Sequence, residues 1–408
     1  MGRGRRKFAA LLSLCALSAC TVIPPGHPPP GYPGTVPGSA MVPVIETAPQ
    51  PSALFLGLHR GPAIASLPLS TPRTSATLRA FVESCPRLTT RQDTSGLTRT
   101  ADWAEACAAA QTWPGADAAS FFAKYFETAT VGNGKTYVTG YFEPEIAGVR
   151  LPQPGYSVPV YAVPPDLIRI WPDSVPPEQR IGTPPPVRLD ATGKLVPYHD
   201  RAAIEDGALT GKGLEIAWAA DPVEFFFLQI QGSGRLIGPD GSVTRIGYAG
   251  QNGREYLGIG GRMRERGLIG EGPGKYPGSM QGIMAYLRQH PAEGKALMRE
   301  NPSYIFFREI KGDGPIGALG VPVRAQSSLA ADPQFVPLGA PVWLSVDRVE
   351  TAGLWVAQDT GGAIKGANRF DSFWGAGPTA RTIAGGMATR GKALIFLPRG
   401  TLARLGFE

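Results

Sequence analysis

GLWVAQDTGGAIKGANRFDSFWG, residues 353–375, sets two aspartates twelve residues apart between an apolar run and an aromatic one. GLWVAQ has the make-up of a strand that hands Asp359 to a Gly361-Gly362 turn, while Phe370, Phe373 and Trp374 give Asp371 apolar company. Carboxyls in such different settings hold protons differently. An aspartate of unperturbed pKa about 3.9 is ionised at neutral pH, and apolar burial raises that value. Asp371 is therefore expected to keep a proton that it can donate.

The same texture extends through the chain. Its 408 residues are 43% hydrophobic, enough to build cores for two domains. The 53 glycines and 41 prolines mostly punctuate short aromatic and β-branched runs, which predicts many short strands joined by turns. Strands are expected at Tyr137–Phe142, Leu214–Trp218, Glu224–Gln231 and Val243–Tyr248, then at Tyr304–Arg308, Pro341–Val346, Leu354–Gln358 and Lys392–Leu397. Helical spacing is concentrated in residues 74–127, at Leu78/Phe81/Val82, Trp103/Cys107/Ala110 and Phe121/Phe122/Tyr125/Phe126. Two further helices are expected at 279–289, with Ser279 as N-cap, and at 292–300 after Pro291.

Residues 1–20 read as an export signal: Arg3, Arg5, Arg6 and Lys7, an apolar run from Phe8, then Leu17-Ser18-Ala19-Cys20. That ending resembles a bacterial lipoprotein box, with Cys20 as the lipid-bearing residue; ordinary cleavage after a small residue is the alternative. Arg5-Arg6-Lys7-Phe8 also weakly resembles a twin-arginine signal, so the export route stays open. No later run is apolar for long enough to span a bilayer. Proline crowds residues 21–73, above all PPGHPPPGYPG, and predicts an extended tether between anchor and body. Without the four leader cations, 40 Lys and Arg become 36 against 33 acids, a net charge of about +3 that gives no case for nucleic acid. Cys85 and Cys107 are left as a pair, expected to form a disulfide worth about 3 kcal/mol in an oxidising compartment. Four unclustered histidines argue against a zinc site, and neither a metal nor a cofactor is expected.

Several motifs point elsewhere when read alone. Gly361, Gly362 and Gly366 around Lys365 do not make a phosphate loop, and Gly232-Ser233-Gly234 lacks the first glycine of a nucleophile elbow. Asp359-Thr360-Gly361 matches the aspartic protease triplet, but one copy would need a homodimer to share a proton. Loop aspartates are most often turn or cap residues, and spacing alone does not separate Asp332, Asp359 and Asp371 from that reading. On a strand, Gln229 and Gln231 would share one face and could hydrogen-bond a polar ligand; edge-strand glutamines in solvent are the alternative. Tyr141 could stack on a sugar and Glu143 could accept from hydroxyls, although TGYFEP (139–144) by itself is as readily a strand end.

Together, TGYFEP, FFFLQIQGSGRL (225–236), GREYLGIG (253–260), NPSYIFFRE (301–309) and the segments around Asp332, Asp359 and Asp371 resemble the lytic murein transglycosylase A family with its C-terminal three-aspartate (3D) domain. The resemblance covers about residues 75–400. It implies a mainly β protein: a double-psi β-barrel from 74–147 and 299–408 with a small N-terminal helical portion, and an inserted second β domain at 148–298 forming the other wall of a glycan groove. It further implies cleavage of the β-1,4 bond between N-acetylmuramic acid and N-acetylglucosamine with formation of 1,6-anhydromuramic acid. Asp371 would be the catalytic acid and base, Asp359 its support and Asp332 structural. Groove contacts are expected from Tyr141, Glu143, Gln229, Gln231, Ser233, Lys365 and Trp374. The expected partners are peptidoglycan strands and, through Cys20, a membrane, most simply the outer membrane facing the periplasm. Cell-wall synthesis or divisome proteins are further candidates, and a monomer is expected. A hydrolase on the same glycan and a non-catalytic wall-binding lipoprotein are the competing readings.

Overall fold

The computed structural model describes residues 52–407 except 172, 174, 181–183 and 313. The export leader, Cys20 and the tether up to residue 51 lie outside the described residues. Strands dominate. The first part supplies β1 (Leu58–Arg60), β2 (Phe126–Val131) and β3 (Lys135–Glu143). The middle supplies β4 (Glu145–Val149), β5 (Val158–Tyr161), β6 (Ile168–Arg169), β7 (Pro186–Leu189), β8 (Leu195–Pro197), β9 (Glu215–Ala219), β10 (Ser233–Ile237), β11 (Val243–Gln251) and β12 (Ile305–Glu309). The last part supplies β13 (Ser328–Ala331), β14 (Pro341–Val346), β15 (Gly353–Asp359), β16 (Arg369–Ala376) and β17 (Ala388–Pro398).

The main sheet runs β1-β2-β17-β14-β15-β13-β16-β3, and β3 pairs a second time with β17. Six strands, β17-β14-β15-β13-β16-β3, thus form a closed hydrogen-bonded circuit, which removes the exposed edges an open sheet would carry. The β13–β15 and β3–β16 pairings are parallel. A second sheet, β12-β11-β10-β4-β9-β5, and a small third one, β6-β7-β8, come from the middle of the chain.

Of helices Thr71–Leu88, Ala104–Ala110 and Ala118–Tyr125, the first and third lie against the main sheet, and the second packs on both of them. Their Phe81, Phe121 and Phe122, with Trp103 just before the second helix, are fully buried and meet Phe126 and Phe396 at ring-centroid distances of 5.4–6.3 Å. Each such ring contributes about 2–3 kcal/mol by leaving water. The expected disulfide joins Cys85 to Cys107 and ties the first of these helices to the second. Ser279 caps helix Met280–Gln289 by accepting from the Gly282 N–H at 3.3 Å, and Pro291 opens the next helix, Pro291–Arg299. Among the described residues no helix is long and apolar enough to cross a membrane.

Three expectations need correction. The tether does not extend to residue 73, because β1 pairs with β2 and the Thr71–Leu88 helix has already begun. The second sheet does not stop at 298, because β12 pairs with β11 through Glu309. Residues 222–231 form a helix, not a strand. Asp221 caps that helix by accepting from the N–H groups of Val223 and Glu224, Pro222 fits its first turn, and Gly232 ends it in the left-handed region at φ 78°. FFFLQIQ is apolar nearly all round because the helix is buried on most sides, so no period distinguished it from an interior strand.

Candidate active site

Pairing register brings the two aspartates together. Ala330 of β13 lies between them, opposite Asp359 on β15 and opposite Asp371 on β16. In-register neighbours project to the same face, so both carboxyls belong to one side of the sheet, two strand spacings or about 10 Å apart at the backbone. A bulge makes this possible. Between Leu329 and Ala330 the partner on β15 jumps from Ala357 to Asp359. The skipped Gln358 is fully buried and turns to the helix behind, donating to Ala80 O at 2.8 Å and Ser84 Oγ at 2.9 Å, and bonding Ser328.

Asp371 is half-buried on β16 beside Thr139 of β3. The Thr139 hydroxyl donates to Asp371 Oδ1 at 2.8 Å, and Arg369 Nη2 donates to that hydroxyl oxygen at 2.9 Å. Because Arg369 occupies a lone pair of Thr139, the hydroxyl proton is left for Asp371. Desolvation raises the Asp371 pKa to about 6; the Thr139 bond and the Arg369 charge oppose the rise, and the Asp359 charge adds to it. Its apolar company differs from expectation. Strand alternation sends Phe370 and Trp374 into the main core and leaves Phe373 on the aspartate face, packed with Tyr141, Val323, Ala330 and Ile364.

Asp359 is held by more donors. Its Oδ1 accepts from the Ala318 and Thr360 N–H groups, both at 2.9 Å, and its Oδ2 accepts from the Tyr141 hydroxyl at 3.0 Å. Burial raises its pKa, and these three bonds resist the rise. Tyr141 is itself pushed well above the usual phenol value, first by burial and then by the charges of Asp359 and Asp371. Opposite, Tyr256 brings the second sheet's side of the molecule to the site. Its pKa is raised by burial, with a contribution from the charge of Asp371. The loop after Asp359 passes so near Tyr256 that a Cβ on Gly362 would sit 3.3 Å from that of the tyrosine, so only glycine fits without displacement.

The expected groove contacts divide sharply. Glu143 is 1% exposed and ion-paired with Arg235 Nε at 3.0 Å and Arg245 Nε at 2.9 Å, so it locks β3 to the second sheet and is not free to receive a sugar. Gln229 is 2% exposed; its Oε1 accepts from Arg201 Nη1 at 2.6 Å and its Nε2 donates to Ile305 O at 3.2 Å. A buried amide and guanidinium need such partners, which makes Gln229 a structural residue and not a groove contact. Trp374 is another correction: it is buried in the main core, edge-on to Trp355, with its indole N–H on Ser372. Tyr141 serves Asp359 with its hydroxyl while its ring covers Phe373 at 4.9 Å, so it presents no free face for stacking. Gln231 accepts from the Phe142 N–H at 3.0 Å, Ser233 is half-buried at the start of β10, and Lys365 is exposed in the loop between the aspartates. Asp332 bonds the Gly366 N–H at 2.8 Å and the Gln334 N–H at 3.1 Å, pinning that loop. Thr139, Arg369 and Tyr256 went unnoticed in the sequence as site residues. The Thr-Gly-Tyr alternation of β3, which places Thr139 and Tyr141 on one face, was the available signal for the first. Among the described residues no group of three or more His, Cys, Asp or Glu could hold a metal ion.

Comparison with known proteins matches this arrangement to a family. Residues 137–308 match the MltA specific insert domain and residues 327–397 the 3D domain. The membrane-bound lytic murein transglycosylase A of Vibrio cholerae is 30% identical over 263 residues, 62% of this chain and 62% of that protein, so the match covers less than two thirds of this relative's length. A crystal structure of MltA from Neisseria gonorrhoeae is 37% identical and superposes with a TM-score of 0.66 over 83% of this chain and 90% of that one. The structure of Escherichia coli MltA with bound chitohexaose is 25% identical, with a TM-score of 0.59 over 84% of this chain and 94% of that one. With strands β4 to β11 and both aspartate-bearing strands inside the matched segments, the chain belongs to the MltA family.

Proposed function

We propose that this protein is a lytic transglycosylase that cleaves peptidoglycan between N-acetylmuramic acid and N-acetylglucosamine, with Asp371 as the single acid and base. The observation that carries the reading is the pair of in-register carboxyls on one face, of which Asp371, with a pKa of about 6, still carries its proton in about a tenth of the molecules at pH 7. The protonated Asp371 donates to the glycosidic oxygen as the C1–O bond breaks, and N-acetylglucosamine leaves with that proton on its O4. An oxocarbenium-like muramoyl species remains. The carboxylate then takes the proton of the sugar's own C6 hydroxyl as O6 closes on C1, which restores the acid and forms the 1,6-anhydro ring. One carboxyl suffices because the nucleophile belongs to the substrate, whereas glycosidases that activate water or form an enzyme ester need two. Asp359, held by two N–H groups and the Tyr141 hydroxyl, keeps negative charge near the developing cation and raises the proton affinity of Asp371.

The names of the relatives support the activity, and the chitohexaose bound to the Escherichia coli protein supports a glycan as ligand. We read the closed six-strand circuit as a double-psi barrel and the segment carrying the second sheet as the opposite wall of the groove, joined at Tyr256. A lipid on Cys20 and a place at the outer membrane, facing the periplasm, complete the reading. Mass spectrometry of products from purified sacculi tests it: anhydro ends are expected, lighter by one water than reducing ends. Reducing ends would make the protein a hydrolase, and sedimentation with sacculi without soluble product would make it a binder.

A further inference from the structure

The face that carries Asp371 continues beyond it as a row of cations. On that face Arg369, Tyr137 and Arg390 are register partners across β16, β3 and β17, one step of strand alternation from the Asp371–Thr139 pair. One step further, Lys135 and Lys392 stand opposite each other. Arg390, Lys135 and Lys392 are exposed and Arg369 is half-buried. At about 3.4 Å per residue the row extends roughly 14 Å from Asp371. Both guanidinium groups rest on one ring: the Cζ atoms of Arg369 and Arg390 lie 5.1 and 4.8 Å from the centroid of Tyr137. The ring helps to hold both in place. Among the described residues none of the four cations forms an ion pair. Asp347, whose N–H bonds the Arg390 carbonyl at 3.1 Å, makes none with the Arg390 side chain. Like charges held side by side repel, and an arriving anion relieves that repulsion.

We propose that the Arg369–Arg390–Lys392–Lys135 row binds the carboxylates of the short peptide carried by the muramoyl residue whose bond lies at Asp371. The inference rests on the transglycosylase reading and adds what that reading leaves open, recognition of the peptide. The chemistry favours it. The peptide branches from the lactyl ether of the sugar being cleaved, so it must leave the catalytic carboxyl along a neighbouring surface. Four extended residues span about 14 Å, the length of the row.

The test compares turnover of glycan strands with their peptides intact and after amidase stripping. The double variant R390E/K392E, its folding checked by an unchanged melting temperature, is expected to lose about tenfold or more in kcat/KM on peptide-bearing strands and to stay within about twofold on stripped ones. R390K/K392R should restore most of the loss. An equal loss on both substrates, or no loss on either, overturns the proposal. Loss of binding to phosphatidylglycerol vesicles with unchanged turnover of peptide-bearing strands also overturns it and assigns the row to a lipid surface. Calorimetry on the Asp371→Asn protein separates this inference from the reading beneath it. A disaccharide-tetrapeptide should bind more tightly than the bare disaccharide, and R390E/K392E should erase the difference. If wild type forms no anhydro product but this binding difference persists, the function is wrong and the row stands; a difference that R390E/K392E leaves intact sinks the row alone.

Discussion

Glu143 and Asp371 lie on neighbouring strands, Glu143 opposite Ala376 and Asp371 opposite Thr139, four residues apart along β3, yet the protein treats them in opposite ways. Glu143 is fully buried between two guanidiniums; Asp371 is half-buried and meets one hydroxyl, with its nearest arginine bonded to that hydroxyl instead. The first arrangement commits both carboxylate oxygens to ion pairs and leaves neither for a substrate. The second leaves desolvation as the dominant influence and raises the pKa to about 6, so that a fraction of the molecules still carries the proton near neutral pH. A buried carboxyl serves structure or catalysis according to how completely it is paired.

Substitutions at the two sites should therefore fail differently. Asp371→Asn keeps the shape and removes the transferable proton, so anhydromuropeptide release is expected to fall by about 10³-fold or more while the circular dichroism spectrum is retained. Turnover near that of wild type would abolish the contrast. Glu143→Gln should do the reverse, costing about 3–5 kcal/mol in chemical denaturation by taking from Arg245 its carboxylate and leaving Arg235 with Glu145 alone, with rates per folded molecule close to wild type.

The contrast also has a pH signature. The Asp371 pKa is raised in the native state, so between about pH 4 and 6 the native protein binds more protons than the unfolded chain, and wild type loses stability as pH rises through that window. Asn at 371 does not titrate. Its stability should exceed that of wild type by up to about 3 kcal/mol at pH 7, and the gap should close toward pH 4 in paired thermal melts. A gap independent of pH would mean that Asp371 stays ionised throughout. The smallest effect is expected at the supporting carboxyl. Since the Asp359 charge raises the Asp371 pKa, Asp359→Asn should move the alkaline limb of kcat/KM to lower pH and cost about tenfold at pH 7. A limb that stays near pH 6 would leave Asp359 with no electrostatic role.

Local patterns were reliable where one physical signal dominated. The strands at Pro341–Val346 and 353–359, the Ser279-capped helix and the cystine all follow from short apolar runs bounded by turn residues, capping chemistry and compartment. The 222–231 segment misled because a helix buried on most sides erases its own period, and the Asp-Pro start and Gly232 stop carried the better information. With the helix in place, Gln229 faced Arg201 and the proposed ligand contact became an internal bond. Trp374 went to the core for a related reason: on β16 it alternates with Phe373, and only one of them could share the face of Asp371.

Sequence alone determined which residue types were present to do chemistry: two aspartates in unlike surroundings, a cysteine pair, a mainly β chain and a set of motifs specific to one family. Tertiary structure decided which carboxyls stayed unpaired. That choice depends on contacts between strands and segments far apart in the chain, as when Arg235 and Arg245 reach Glu143, Thr139 reaches Asp371, and a one-residue bulge turns Asp359 outward and Gln358 in. Proton affinity is set by desolvation and by neighbouring charges within a few ångströms, and those distances exist only once the chain has closed on itself.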